Sequence, residues 1–172
     1  MYETTSIFYE RHQMPLIQLD TLIQAPAAVC FDAARDIDLH VLAPSPLRHR
    51  AVAGVTSGLI NLCEEVTWEG SFFGIRQSMT SKIVALDAPR AFTDEMRRGP
   101  FKRWRHTHHF EPTEDGTQMS DRVDFASPLG PLGSTFDAVF LKRFMMRVLV
   151  AHNNYIKEVA ERRAALRPAG VS

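Results

Sequence analysis

The chain lacks any excess of one charge: its 172 residues carry 20 Lys+Arg against 20 Asp+Glu. A general binder of polyanions usually shows a strong basic excess, so the balance argues against nucleic acid as a partner. Cysteine is scarce, with only Cys30 and Cys63, far apart and outside any C-x-x-C. Metal-finger and thioredoxin chemistry therefore lack their ligands, and a reduced cytoplasmic setting is the expectation. No apolar run approaches the ~18–20 residues of a membrane span. The opening MYETTSIFYERHQMP lacks the basic flank and apolar stretch of a secretory signal. No G-x-S-x-G, Walker loop, H-E-x-x-H or Rossmann glycine pattern occurs, so serine hydrolysis, phosphoryl transfer and hydride transfer have no sequence support.

What is present is 45% hydrophobic and 23% charged residues, the composition of one soluble domain large enough for a core. The polar residues 1–14 read as an arm, residues 15–165 as a single domain and residues 166–172 as a tail. Ile17, Leu19 and Thr21 alternate with Gln18, Asp20 and Leu22, which predicts a first strand. Ala27 to Arg35 is alanine-rich behind Pro26 and predicts a short helix. Asp36 is placed to cap a second helix through Leu42, ended by Pro44 and Pro46. Strands follow at Arg48–Val55, Leu62–Glu69, Phe73–Leu86, Ala91–Arg97, Arg103–Pro112 and Thr117–Ala126, with a hairpin signal at Glu114 to Gly116. Sequential hairpins of this kind make an antiparallel meander. Ser134 and Asp137 have capping-box spacing. Beyond them Phe136, Phe140, Phe144, Val148, His152, Tyr155 and Val159 form one stripe of a long helix that runs to about Arg163.

Three words of the sequence carry a family likeness. They are Asp20–Pro26 followed by Val29, Phe31 and Asp32; Trp104–Phe110; and Asp121–Phe125 with Pro128 to Gly130. Together with the element order, they resemble the START and birch-pollen-allergen (SRPBCC) superfamily, which includes polyketide cyclase-like and coenzyme Q-binding-like proteins. The resemblance implies an α+β helix-grip fold: a curved antiparallel sheet wrapped around the long C-terminal helix, with two short helices after the first strand. It also implies a ligand cavity between sheet and helix. This fold hosts unrelated activities, so it indicates a class of function rather than one reaction.

In such a fold one face of each strand looks inward. The apolar face carries Val66, Trp68, Ile75, Met79, Phe92, Met96, Trp104, Phe110, Val123 and Phe125. Glu64, Gln77, Asp94, His106, His108 and Asp121 share its parity. Polar groups set in an apolar pocket orient ligands, and each needs a partner, water or a ligand. The expected ligand-binding set is Trp68, Gln77, Met79, Phe92, Trp104, His106, His108, Phe110, Phe125, Phe136, Phe140 and Phe144. His106 and His108, with Asp94 or Asp121 orienting an imidazole, are the candidates for acid–base chemistry. The alternative is a set of histidines hydrogen-bonded across the sheet with no turnover. No cofactor and no metal is assigned, because a metal site here needs convergence from three strands.

Arg143 and Arg147 either face the cavity or lie on the solvent side of the helix. Cys30 and Cys63 read as small buried hydrophobes. The leading reading is a binding protein for a hydrophobic small molecule such as a lipid, a quinone or a polyketide-like ring system. The alternatives are a cyclase, dehydratase or hydrolase acting on such a ligand, and a partner or membrane-surface module using the basic stretch Arg97–Arg105. Nothing in the sequence assigns an oligomeric state.

Overall fold

The computed structural model describes residues 16–72, 74–126 and 140–166. Strand β1 (Leu16–Ile23) leads to α1 (Ala27–Ala34) and α2 (Ile37–Leu42). Strands β2 (Arg50–Gly54), β3 (Glu65–Phe72), β4 (Ile75–Asp87), β5 (Ala91–Arg98), β6 (Arg103–Thr113) and β7 (Gly116–Ala126) follow, and α3 (Lys142–Ala165) closes the chain. The seven strands form one antiparallel sheet in the order β1-β7-β6-β5-β4-β3-β2. All but the β1–β7 pairing are sequential hairpins. The first strand instead crosses the molecule to lie beside the last, with Ile17 opposite Val123.

Local chemistry explains the elements. Alternation along β1 buries Ile17 and Ile23 and leaves Gln18 and Asp20 exposed. The Asp36 side chain accepts hydrogen bonds from the amides of Asp38 (3.1 Å) and Leu39 (3.4 Å), which caps α2. Between β6 and β7, a Cβ at Gly116 (φ +137°) would stand 2.2 Å from the Ile23 carbonyl oxygen, so the close approach of β1 requires glycine there. Register shifts within the β4–β5 and β2–β3 pairs bend the sheet. Bulges increase local twist, which lets the sheet wrap a helix.

α3 has 24 residues and is about 36 Å long. Its buried side is Met145, Val148, Leu149, His152, Asn153, Ile156 and Ala160. One core cluster gathers Phe31, Phe92, Phe110, Met119, Ile156 and Ala160. The other gathers Ile17, Trp104, Val123, Phe125, Leu141, Met145 and Leu149. The cavity opens between them.

Four expectations change. The stripe on the last helix is displaced by about one residue: Phe140 is 62% exposed and Phe144 half-buried, whereas Leu141 and Met145 are buried. Apolar residues occur on both sides of this helix, so periodicity alone left its phase open. Strand β3 begins at Glu65 rather than Leu62, because Asn61 to Glu64 form a turn in which the Glu64 carboxylate accepts from the Asn61 amide at 2.7 Å. Glu64 therefore does not face inward. Cys63, with φ +67°, is exposed in that turn, while Cys30 is buried as expected. Ile75 is also exposed: it occupies the last register position before the β3–β4 turn, opposite Phe72, and does not line the cavity. Phe136, Ser134 and Asp137 lie outside the described residues, as do the arm and nearly all of the tail.

Candidate functional site

The inner face of β3–β6, the segment around Ser45 to His49, α2 and the middle of α3 enclose a cavity of about 210 Å³. Trp68, Gln77, Met79, Phe92 and Trp104 line it, as do Asp94, His106 and His108. From the helix come Met145, Val148, Leu149 and His152. Phe110 and Phe125 are fully packed in the core behind the cavity wall. Phe110 packs edge-on against Phe31, and Phe125 packs with Phe101 and Trp104. Phe140 and Phe144 do not line the cavity. Arg143 and Arg147 are exposed, on the outer side of α3. In the basic stretch, Arg97, Arg98, Lys102, Arg103 and Arg105 are exposed, while Phe101 and Trp104 turn into the cavity wall.

The polar side of the cavity is built on β5, β6 and β7. His106 and His108 share a strand face two residues apart, and their rings stand 3.9 Å apart. Register sets Asp94 directly across from His106, and Asp121 across from His108. His106 Nε2 donates to Asp121 Oδ1 at 2.8 Å. His108 Nδ1 lies 2.8 Å from the same oxygen, but without an aligned N–H, so that contact is electrostatic rather than a hydrogen bond. Asp121 Oδ2 accepts from Asn153 Nδ2 of α3 at 2.5 Å, and that amide also donates to Thr21 Oγ1 at 3.2 Å. Asp121 is thus a fully buried carboxylate tied to both sheet and helix. Asp94 is partly buried, and its Oδ2 stands 3.8 Å from His106 Nδ1, beyond hydrogen-bond reach.

The charges follow from these neighbours. Burial would raise the Asp121 pKa, but the two imidazoles and the His106 hydrogen bond pull it far below the usual carboxylate range. Burial would lower the His106 pKa; the hydrogen bond to Asp121 and the charges of Asp121 and Asp94 outweigh it, and the pKa rises. His108 moves the other way, because burial and repulsion from His106 together exceed the attraction of Asp121. Two adjacent imidazoles are so driven apart in acidity.

Sequence reasoning missed the opposite wall. Five of the seven histidines line the cavity: His40, His49, His106, His108 and His152. The His40 and His152 rings lie 4.0 Å apart, and His49 packs edge-on against Trp68. Burial lowers all three pKa values, that of His152 to about 3. His152 Nε2, His49 Nδ1 and Ser81 Oγ are buried without a hydrogen-bond partner among the described residues. The place of His152 on the helical stripe was a usable signal. His40 and His49 gave none, since they reach the cavity only through the path of the chain around α2.

Among the described residues, Asp94, His106 and His108 form the one group of three that could hold a metal ion, each offering a donor atom within 4.8 Å of the others. Convergence from three strands is not needed, because the β5–β6 register brings all three together. No helix among the described residues is long and apolar enough to cross a membrane.

The sequence model of the family described as polyketide cyclase / dehydrase and lipid transport matches residues 14–161. No curated protein matches the chain in sequence. Among solved structures, an aromatase/cyclase from Streptomyces sp. R1128 is similar with a TM-score of 0.70 at 18% identity, over 92% of this chain and 99% of that one. A protein of Thermus thermophilus has a TM-score of 0.67 at 14% identity, over 85% of this chain and 99% of that one. A major latex-like protein of Panax ginseng has a TM-score of 0.63 at 15% identity, over 86% of this chain and 97% of that one. At these identities the likeness is one of fold, and it is the helix-grip fold.

Proposed function

The chain belongs to the polyketide cyclase / dehydrase and lipid transport family, and from that premise and the site's geometry we propose that it binds a compact hydrophobic small molecule between sheet and C-terminal helix. The observation that carries this reading is a cavity of about 210 Å³ whose walls are aromatic and aliphatic but which holds unpartnered buried polar atoms. An apolar cavity of ~150 Å³ holds benzene, so this space suits a ring system such as a quinone or polyketide-like unit, or a short lipid segment. Apolar burial, at about 25 cal/mol per Å², supplies the driving force. Hydrogen bonds to His49, His152 and Ser81 set orientation, because a ligand oxygen there satisfies groups whose burial alone is costly.

Native mass spectrometry of the purified protein, with organic extraction and a denatured control, tests this. The expected result is a reproducible extra mass released on denaturation. A clean apo mass together with no saturable binding of the neutral aromatic probe 1-aminoanthracene contradicts it.

A second reading, a cyclase, dehydratase or hydrolase acting on such a ligand, is favoured by one observation. The Asn153–Asp121–His106 chain fixes an imidazole in the cavity wall in the way a carboxylate orients a catalytic histidine. Turnover that disappears in His106→Gln while probe binding persists is the expected outcome under this reading. Binding without product, for the molecule recovered from the protein, contradicts it.

A further inference from the structure

We infer that Asp94, His106 and His108 form a binding site for a divalent transition-metal ion whose open coordination positions face the cavity. An H-x-H pair on a strand presents two imidazoles side by side on one face, here 3.9 Å apart. The neighbouring strand sets a carboxylate directly across from the first of them. The three donor atoms lie within 4.8 Å of one another. Metal–ligand bonds of about 2.0–2.2 Å require donors roughly 3.3 Å apart. The Asp94 carboxylate is only partly buried and makes no hydrogen bond to His106 across their 3.8 Å gap, so its rotation can bring it closer to both imidazoles.

The surroundings are those of a metal centre. Asp121 lies behind both imidazoles at 2.8 Å, and Asn153 holds its other oxygen. A carboxylate hydrogen-bonded to the distal side of a ligating histidine, as Asp121 is to His106, fixes ring orientation and strengthens the ring as a donor. His106 spends Nε2 on Asp121, which leaves Nδ1, the nitrogen facing Asp94, for an ion. Two imidazoles and one carboxylate with open positions form a donor set suited to Zn²⁺ or Fe²⁺ rather than Ca²⁺ or Mg²⁺. An ion held there would take an oxygen of a cavity ligand as a further donor. The inference stands apart from the ligand-binding reading, because metal binding can be measured with no organic ligand present.

The test is a titration of the chelator-stripped protein with Co²⁺, followed by visible ligand-field absorption, and with Zn²⁺, followed by calorimetry. One ion per chain is expected, with the intense bands of a low-coordinate site. Asp121→Asn should weaken binding by about 10–100-fold, and Asp94→Asn, which removes a charged ligand, by at least as much. His109→Gln, an exposed histidine on the outer face of the same strand, should leave affinity unchanged. Circular dichroism reports whether each variant is folded. Should Asp121→Asn fail to fold, Asp94→Asn decides alone, since that side chain is only partly buried. No bands up to millimolar Co²⁺, or binding that Asp94→Asn does not alter, overturns the inference. Binding of 1-aminoanthracene by the metal-free wild type is the separate control: its absence counts against the ligand cavity and leaves the metal result standing.

Discussion

Asp121 is the residue on which the polar side of the cavity turns. It joins two imidazoles of β6 to the Asn153 amide of α3, with its side chain wholly shielded from water. Removing one partner from a buried charged group costs about 3–5 kcal/mol, because the remaining charge is left uncompensated. Asp121→Ala is therefore expected to lose stability in that range by urea denaturation, and a loss under about 1 kcal/mol would show that the network is not structural. The other wall yields a pH prediction. His152 titrates at about 3 in the folded chain against an ordinary 6.5, and His40 is lowered in the same direction. Above pH 6.5 both are neutral whether the chain is folded or not. As the pH falls below that value the unfolded chain takes up protons that the folded chain refuses, so stability falls towards pH 3. His106 has a raised pKa and acts oppositely: its contribution is present in acid and is lost as the pH rises through its folded value. Around His152 stand His40, His49, His106, His108 and Asp121. The melting temperature is expected to decline between pH 6.5 and pH 4, and His152→Gln should flatten the decline. An unchanged slope in that variant would contradict the assignment.

At the scale of elements, the last helix decides what the cavity sees. Leu149 is 5% exposed and Val150 is 38% exposed, although they are neighbours in sequence. Leu149→Ala is expected to cost about 2–5 kcal/mol, and Val150→Ala to remain within about 0.5 kcal/mol. Equal costs would place the helix in a different phase. The contrast also shows what could be read from sequence. Strands β4 to β7 were legible because alternation has a period of two, and a single turn residue such as Gly116 fixes the register. The α2 cap was legible because an aspartate before a short apolar run has one obvious use. The face of α3 was not, because Phe140, Phe144, Met145 and Val148 spread apolar character over more than one side. Likewise, Leu62 and Cys63 read as strand because the pattern ignores the turn closed by Glu64. Within the site, the triad Asp94, His106 and His108 was visible from shared parity. His152 was marked by its place on the helical stripe, but Asn153, His40 and His49 depend on how α2 and α3 pack over the sheet, a tertiary matter that no local period records.

At the scale of the whole molecule, a curved sheet grips one helix and leaves between them a space with two different polar sides. On one, a buried carboxylate sustains a charged network. On the other, imidazoles held neutral by burial await a hydrogen-bond partner. The central claim is that this space is a binding site rather than a packing defect. Ser81 tests it most directly: its side chain is buried on the inner face of β4, lines the cavity and has a hydroxyl without a partner among the described residues. Ser81→Phe places a ring in the cavity while removing that unsatisfied group. The decisive measurement is a fluorescence titration of wild type and Ser81→Phe with 1-aminoanthracene, alongside their melting temperatures. Saturable one-to-one binding by wild type, lost in a variant that melts no lower, is the predicted result. Binding that survives in the filled variant would place the probe elsewhere and contradict the cavity as the site.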